Sequence, residues 1–292
     1  MAAGRSSTAP VRVAGADKRV WVKGDGVGEK VRVFVGTEPK TEIARKVLEC
    51  GIRRRASCEV TFVPMIGPEW EYDRTGLSVG TGFSLRRWMI PAYCGWQGRA
   101  VYLDADQVVY GDVWELWSWP DRDPAPGRAA WMTWQPSKFS AEPHPNSSVM
   151  VIDCAAARAQ PFFHIDRLLA HLREDPGRRR YVSVMYPDWM TPPPGRLPVE
   201  WNHLNVYEEG RTKLLHYTRE PDQPWYRPDH PLAYRWMLEF QAALTLGCLT
   251  ADEVREAVAR YGRPDADDWR PTAGLHPRYL DFLPKAARRA AG

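Results

Sequence analysis

The sequence predicts an α/β fold: a Rossmann-like, mostly parallel sheet flanked by helices, in a single domain with a C-terminal helical extension. Three observations predict it. Short β-branched apolar runs, of the kind that form strands buried on both faces, recur through the first half. Amphipathic segments of helical period alternate with them. The chain has 292 residues and is 44% hydrophobic, enough for one large α/β domain with a substantial core.

Residues 1–29 read as a leader with a short strand at 19–23. Residues 31–36 (VRVFVG) form the first strand, and 41–55 the first helix, with Ile43, Val47, Leu48 and Ile52 on one face. A second strand follows at 59–64. Residues 83–93 are helical by pattern, and 100–103 form the third strand. A short helix is expected at 112–117 and a Pro/Gly loop over 120–127 (PDRDPAPG). Strands follow at 129–133 and 148–152, then helices at 155–172, 232–246 and 250–261. The last opens with a Thr250-x-x-Glu253 capping box. The division expected is a leader (1–29), a catalytic domain (30–231) and a helical extension (232–292).

Composition narrows the function. A formal net charge of +4 suits a phosphate-bearing ligand and is too small to argue for nucleic acid. Five cysteines without a CxxC or CxxxH pair suggest neither a disulfide framework nor a zinc site. The N-terminus lacks a secretory apolar core, and no stretch is long and charge-free enough to span a membrane. A cytoplasmic location is the expectation. Oligomeric state is not readable.

The sharpest chemical signal is Val101-Tyr102-Leu103-Asp104-Ala105-Asp106, an apolar strand that ends in two carboxylates. Residues i and i+2 of an extended chain point to the same side, so Asp104 and Asp106 can reach one point. Carboxylates that close repel unless a cation or a proton lies between them. A divalent ion meets that need and can also bridge phosphate oxygens. Ligands of such sheets bind at the carboxyl ends of the strands, where this pair falls. Taken alone, the pair also suits a turn start at Asp106 and a cap at Asp104.

Four segments together resemble the family 8 glycosyltransferases, bacterial-type retaining enzymes of the GT-A fold. They are Val33-Phe34-Val35-Gly36-Thr37-Glu38 with the helix after it, and Phe83-Ser84-Leu85-Arg86-Arg87-Trp88 followed by the Asp104–Asp106 motif. Then come Pro145-Asn146-Ser147-Ser148 leading into an apolar strand, and finally Trp201-Asn202, Leu214-Leu215-His216-Tyr217 and Gln223-Pro224-Trp225. The resemblance covers residues 31–226. It implies a metal site of Asp104, Asp106 and His216, holding Mn²⁺ or Mg²⁺. An imidazole ligand favours Mn²⁺. It implies a UDP- or GDP-sugar donor against Gly36, Thr37, Glu38, Arg86, Asp104 and Ala105, and phosphate contacts from Gln223 and Trp225. Adjacent arginines on a helix cannot both face one ligand, and Arg86 is the one chosen. Asn146 and Ser147 would lie under the sugar, with Asp188 as an acceptor for a sugar hydroxyl. Trp225 is also the tryptophan singled out as a stacking platform for sugar C–H faces.

Two departures stand out. The family's Lys-Pro-Trp is Gln223-Pro224-Trp225 here, so a charge is lost. The family's Asp-Gln-Asp before Trp-Asn is absent, and residues 181–189 stand in its place. The function implied is a metal-dependent retaining glycosyltransferase with a small-molecule or glycan acceptor. The alternatives are a flavin-independent nucleotide-sugar mutase on the same fold and a binding module without turnover.

Overall fold

The computed structural model describes residues 30–73, 75, 77, 81, 83–137, 140–174, 185, 187, 190–262 and 274–284. The leader strand expected at 19–23 and the candidate Asp188 lie outside the described residues.

The strands are β1 (Val31–Gly36), β2 (Val60–Pro64), β3 (Arg99–Asp104), β4 (Gln107–Val109), β5 (Ala130–Ser137), β6 (Ser140–Asp153), β7 (Gly195–Leu197), β8 (His203–Leu204) and β9 (Leu214–His216). Six of them form the main sheet, in the order β2-β1-β3-β6-β5-β7. β1 pairs parallel with β2 and β3, as the alternating first half predicts. The sheet then turns antiparallel, β3 to β6 and β6 to β5, before β7 joins β5 in parallel. The sheet is therefore mixed. Its antiparallel part is a long hairpin in which β6 extends well upstream of the apolar run predicted for it. Pro143 and Pro145 lie inside that strand and concealed it, because proline withholds a ladder donor.

Both faces of the sheet are buried, which is why its central strands read as continuous apolar runs. Val33, Val35, Val101, Leu103, Val149 and Val151 face one core, closed by Leu48, Ile52 and Trp117. Phe34, Tyr102, Met132, Met150 and Ile152 face the other, closed by Trp70, Trp88 and Phe163. Helix α1 (Glu42–Arg55) divides its predicted apolar stripe: Leu48 and Ile52 cover the first face of the sheet, while Ile43 and Val47 turn to the core shared with the C-terminal helices.

Three helical expectations are modified. The helix expected at 155–172 is split into Cys154–Ala157 and Ile165–Glu174, with a 3-10 turn at Pro161–Phe163 between them. Pro161 carries no amide hydrogen and clashes with the preceding turn. The segment at 83–93 is a 3-10 turn, Arg86–Met89, running into one α-turn, Ile90–Tyr93. The expected loop at 120–127 begins as a helical turn, Trp119–Arg122, with Pro120 in the first turn, where proline is tolerated.

A second sheet, β4-β9-β8, adjoins the first. β4 begins immediately after Asp106 and pairs antiparallel with β9, so that Gln107 lies opposite His216. The C-terminal helices, Ala233–Thr245 and Ala251–Tyr261, pack behind this small sheet and α1. Ile43, Val47, Val108, Leu215, Trp225, Trp236, Phe240, Val254 and Tyr279 share one core there. The predicted capping box closes the second of these helices, with Thr250 Oγ1 accepting from Glu253 N (3.2 Å) and Glu253 Oε2 from Thr250 N (2.9 Å). Among the described residues no helix is long and apolar enough to cross a membrane, and all five cysteines are free.

Candidate metal centre at the carboxyl edge of the sheet

The end of β3 is pinned from two sides. Ala105 N donates to Gly36 O at the end of β1 (2.9 Å), and Tyr217 N, just past β9, donates to Asp106 O (3.0 Å). The first bond holds Asp104 against the nucleotide-side candidates, and the second brings His216 to Asp106. Ligand atoms of Asp104, Asp106 and His216 all lie within 4.8 Å of one another. Oxygen ligands sit about 2.0–2.6 Å from a divalent ion, so the ligands of one ion span up to about 4–5 Å.

The surroundings fit a cation. Asp106 Oδ1 is buried without a hydrogen-bond donor. It faces His216 Nε2 at 3.1 Å. Asp106 Oδ2 accepts from Gln223 Nε2 (2.9 Å), which also donates to Tyr217 O (2.8 Å). Asp104 Oδ1 accepts from the Tyr102 hydroxyl and from Arg87 Nη2 at 3.2 Å. Arg87 is buried, lies over the Tyr102 ring at 4.6 Å, and donates from Nη1 to Ser147 O (2.8 Å) and Ser147 Oγ (3.0 Å). Two carboxylates and an imidazole form a mixed O/N donor set that could hold a divalent cation.

The charges shift accordingly. Burial pushes the Asp104 carboxyl above its ordinary value; Arg87 pulls it down and Asp106 adds to the rise. Burial opposes a charge on the His216 ring, yet Asp106 and Asp104 outweigh it and raise its pKa.

The remaining candidates distribute as follows. Gly36 ends β1 against Tyr102, where an added Cβ would meet the Tyr102 hydroxyl at 2.2 Å. Thr37 is buried, and its hydroxyl meets that of Thr41 at 3.0 Å. Glu38 caps the 3-10 turn Pro39–Thr41 reciprocally with Thr41. Asn146 and Ser147 are buried, with Asn146 Oδ1 accepting from Ser148 N at 3.0 Å.

Two candidates are placed differently from the reading above. Arg86 turns away from the centre, donating to Met65 O (2.8 Å), Trp70 O (3.1 Å) and Glu71 Oε1 (2.7 Å); Arg87 is the arginine that reaches Asp104. Successive residues of a helical turn diverge, and the sequence does not say which one faces inward. Trp225 is 1% exposed and packed against Tyr217, Tyr226 and Trp236. Its faces are closed to any ligand, so it is a core residue, not a stacking platform.

Asn202 is a participant that the motif located without assigning it a role. It is fully buried, and its Oδ1 lies 2.9 Å from His216 Nδ1.

No protein-family model matches the sequence. Protein CDI of Arabidopsis thaliana is 30% identical over 99 residues, 32% of this chain and 38% of that protein. The chain thus covers well under two thirds of that relative. Among solved structures, the galactosyltransferase LgtC, in complex with donor and acceptor sugar analogues, is similar with a TM-score of 0.54 at 13% identity. The match covers 78% of this chain and all (100%) of that one. The bifunctional glycosyltransferase WbbM has a TM-score of 0.53 at 14% identity, over 75% of this chain and 50% of its own. The glycosyltransferase GlyE of Streptococcus pneumoniae TIGR4 has a TM-score of 0.50 at 13% identity, over 75% and 64%. The fold defined by these matches is the GT-A glycosyltransferase fold, a single α/β domain around a mixed six-stranded sheet.

Proposed function

We propose that this chain is a metal-dependent retaining glycosyltransferase acting on a UDP- or GDP-sugar. The observation that carries the reading is the convergence of Asp104, Asp106 and His216 at the carboxyl edge of a GT-A sheet. Between Mn²⁺ and Mg²⁺, Mn²⁺ is favoured, because one of the ligands is an imidazole and Mg²⁺ prefers oxygen and its own water. When bound, it supplies charge that stabilises a departing nucleoside diphosphate.

This chain's own residues do the rest. Gly36, Thr37 and Glu38, at the end of β1, line the place for the base and ribose, with Ala105 beside them. Arg87 holds Asp104 and Ser147 together, so its buried positive charge lies where leaving-group charge would develop. Gln223 fixes Asp106 by a hydrogen bond. Its neutral amide therefore serves the metal carboxylate, where the resemblance places a phosphate contact. Ser147, which accepts from Arg87, and Asn146 before it would sit beneath the sugar ring, where an amide can orient hydroxyls. Positioning and fixed charge would supply most of the rate enhancement. The acceptor, a small molecule or glycan, would attack from the face that the leaving group departs.

Calorimetric titration with UDP and with GDP, with and without Mn²⁺, tests this. Binding that requires Mn²⁺ and prefers one base is expected, and Asp106→Ala should abolish it while leaving the unfolding transition in place. Binding unaffected by Asp106→Ala in the presence of a chelator would refute the metal site. Incubating a donor sugar without acceptor separates the isomerase alternative, which predicts a product of unchanged mass where a transferase slowly releases free sugar.

A further inference from the structure

A buried run of side chains connects His216 to the Asn146 segment, and its protons can be assigned one by one. The starting point is Ser148 N, which donates to Asn146 Oδ1 at 3.0 Å. A backbone amide only donates, so this atom of Asn146 is its carbonyl oxygen. The Ser148 hydroxyl meets the same oxygen and must donate its single proton there. Ser148 Oγ then has only lone pairs for Asn202, whose nearest atom is 3.1 Å away. That atom is therefore the amide nitrogen of Asn202. The same nitrogen gives its second proton to Thr133 Oγ1 at 3.1 Å. The carbonyl oxygen of Asn202 consequently faces His216 Nδ1 at 2.9 Å, and an acceptor in that place requires a proton on Nδ1. In the neutral ring the lone pair is then on Nε2, facing the Asp106 Oδ1 acceptor across 3.1 Å, a pair of electron donors that a cation between them would satisfy.

We propose that Asn202 is a positioning residue that sets the tautomer of His216, so that Nε2 is the nitrogen presented to a divalent cation. The direction of the whole run is fixed by the backbone amide of Ser148, which cannot reverse. Two consequences follow. The neutral imidazole is held in the tautomer that presents Nε2 before any ion arrives, and its orientation is tied to the strand that carries Asn146. The part of the inference that concerns the cation rests on the metal reading above; the tautomer does not.

The test uses ¹⁵N spectra of the imidazoles in the metal-free full chain, at a pH high enough for a neutral ring. His216 is assigned by the signals that disappear in His216→Gln. Expected is the Nδ1–H form in the wild type. Asn202→Ala should shift the ring toward the Nε2–H form and weaken Mn²⁺ binding, measured by electron paramagnetic resonance, about 10–100-fold, as loss of an outer partner of a ligating histidine does. Asn202→Asp keeps an acceptor at Nδ1, with the Thr133 hydroxyl rotated to donate to its other oxygen, and should retain the Nδ1–H tautomer that Asn202→Ala loses. A wild-type His216 in the Nε2–H form overturns the proposal, whether or not any variant folds. So does an Asn202→Ala protein that keeps wild-type tautomer and affinity. Failure of Mn²⁺ to bind a wild type that does show Nδ1–H refutes the metal reading and leaves the tautomer assignment standing.

Discussion

On the proposed metal reading, protons and cations would compete for the same atoms of Asp104, Asp106 and His216. The folded pKa of His216 lies above the ordinary imidazole value because the two carboxylates outweigh burial. In the metal-free chain the proton on His216 therefore stabilises the fold. That contribution is complete below the unfolded pKa and is lost as pH rises through the higher folded one. A cation needs the deprotonated nitrogen, so the sign for metal is opposite. Mn²⁺ affinity should rise roughly tenfold per pH unit up to the folded pKa and level off above it. Titrations at several pH values would show this; an affinity independent of pH across the imidazole range would mean that His216 is not a ligand. Much at this scale was legible. Asp104 and Asp106 stood out because an apolar strand ended in them, and His216 through the resemblance, following the apolar pair Leu214-Leu215 ahead of Gln223-Pro224-Trp225. The inward arginine was not, since Arg86 and Arg87 are chemically identical neighbours and only the backbone path decides between them.

Among the secondary-structure elements, β1 and β3 set the geometry, and Gly36 shows how tightly. It ends β1 opposite Asp104, and a Cβ there would meet the Tyr102 hydroxyl at 2.2 Å and Phe83 Cδ2 at 2.7 Å. That hydroxyl is a partner of Asp104. Gly36→Ala should therefore cost about 1–3 kcal/mol of stability through overpacking and also weaken Mn²⁺ binding by moving Tyr102 off Asp104. Denaturant unfolding alongside metal titration checks both; wild-type values for each would show that the strand end tolerates a side chain. The parallel β1–β3 unit was legible because double burial makes its strands uniformly apolar. The β5–β6 hairpin was only partly legible. Its prolines interrupt the strand pattern, and register shifts between Met132 and Thr133 and between Gln135 and Ser137 break its alternation.

Over the whole molecule, the aromatic core beneath β4 and β9 joins the C-terminal helices to the centre. Trp225 packs on Tyr217, the residue after His216, and its carbonyl accepts from His276 N at 2.7 Å. Trp225→Ala should lower stability by about 3–5 kcal/mol, the usual cost of emptying a large aromatic site. A ligand platform would behave differently: donor affinity would fall while the unfolding midpoint stayed put, and that result would contradict the buried placement. Sequence marked Trp225 as notable from its Gln-Pro-Trp context. Its burial was not legible, because that depends on helices that arrive only after residue 232.

Asp104 ends a strand of one sheet, His216 ends a strand of the other, and Asp106 lies in the short step of chain between the two sheets, held to the second by Tyr217 N. A chain that has formed one sheet without the other possesses no such centre. An ion captured there would act as a witness to finished topology, recognising the docked pair of sheets and no earlier stage. By mass action it would also hold that topology in place, by about 2.7 kcal/mol at a hundredfold excess over its dissociation constant. On the proposed metal reading, the melting temperature of this chain would become a reading of the metal in its surroundings.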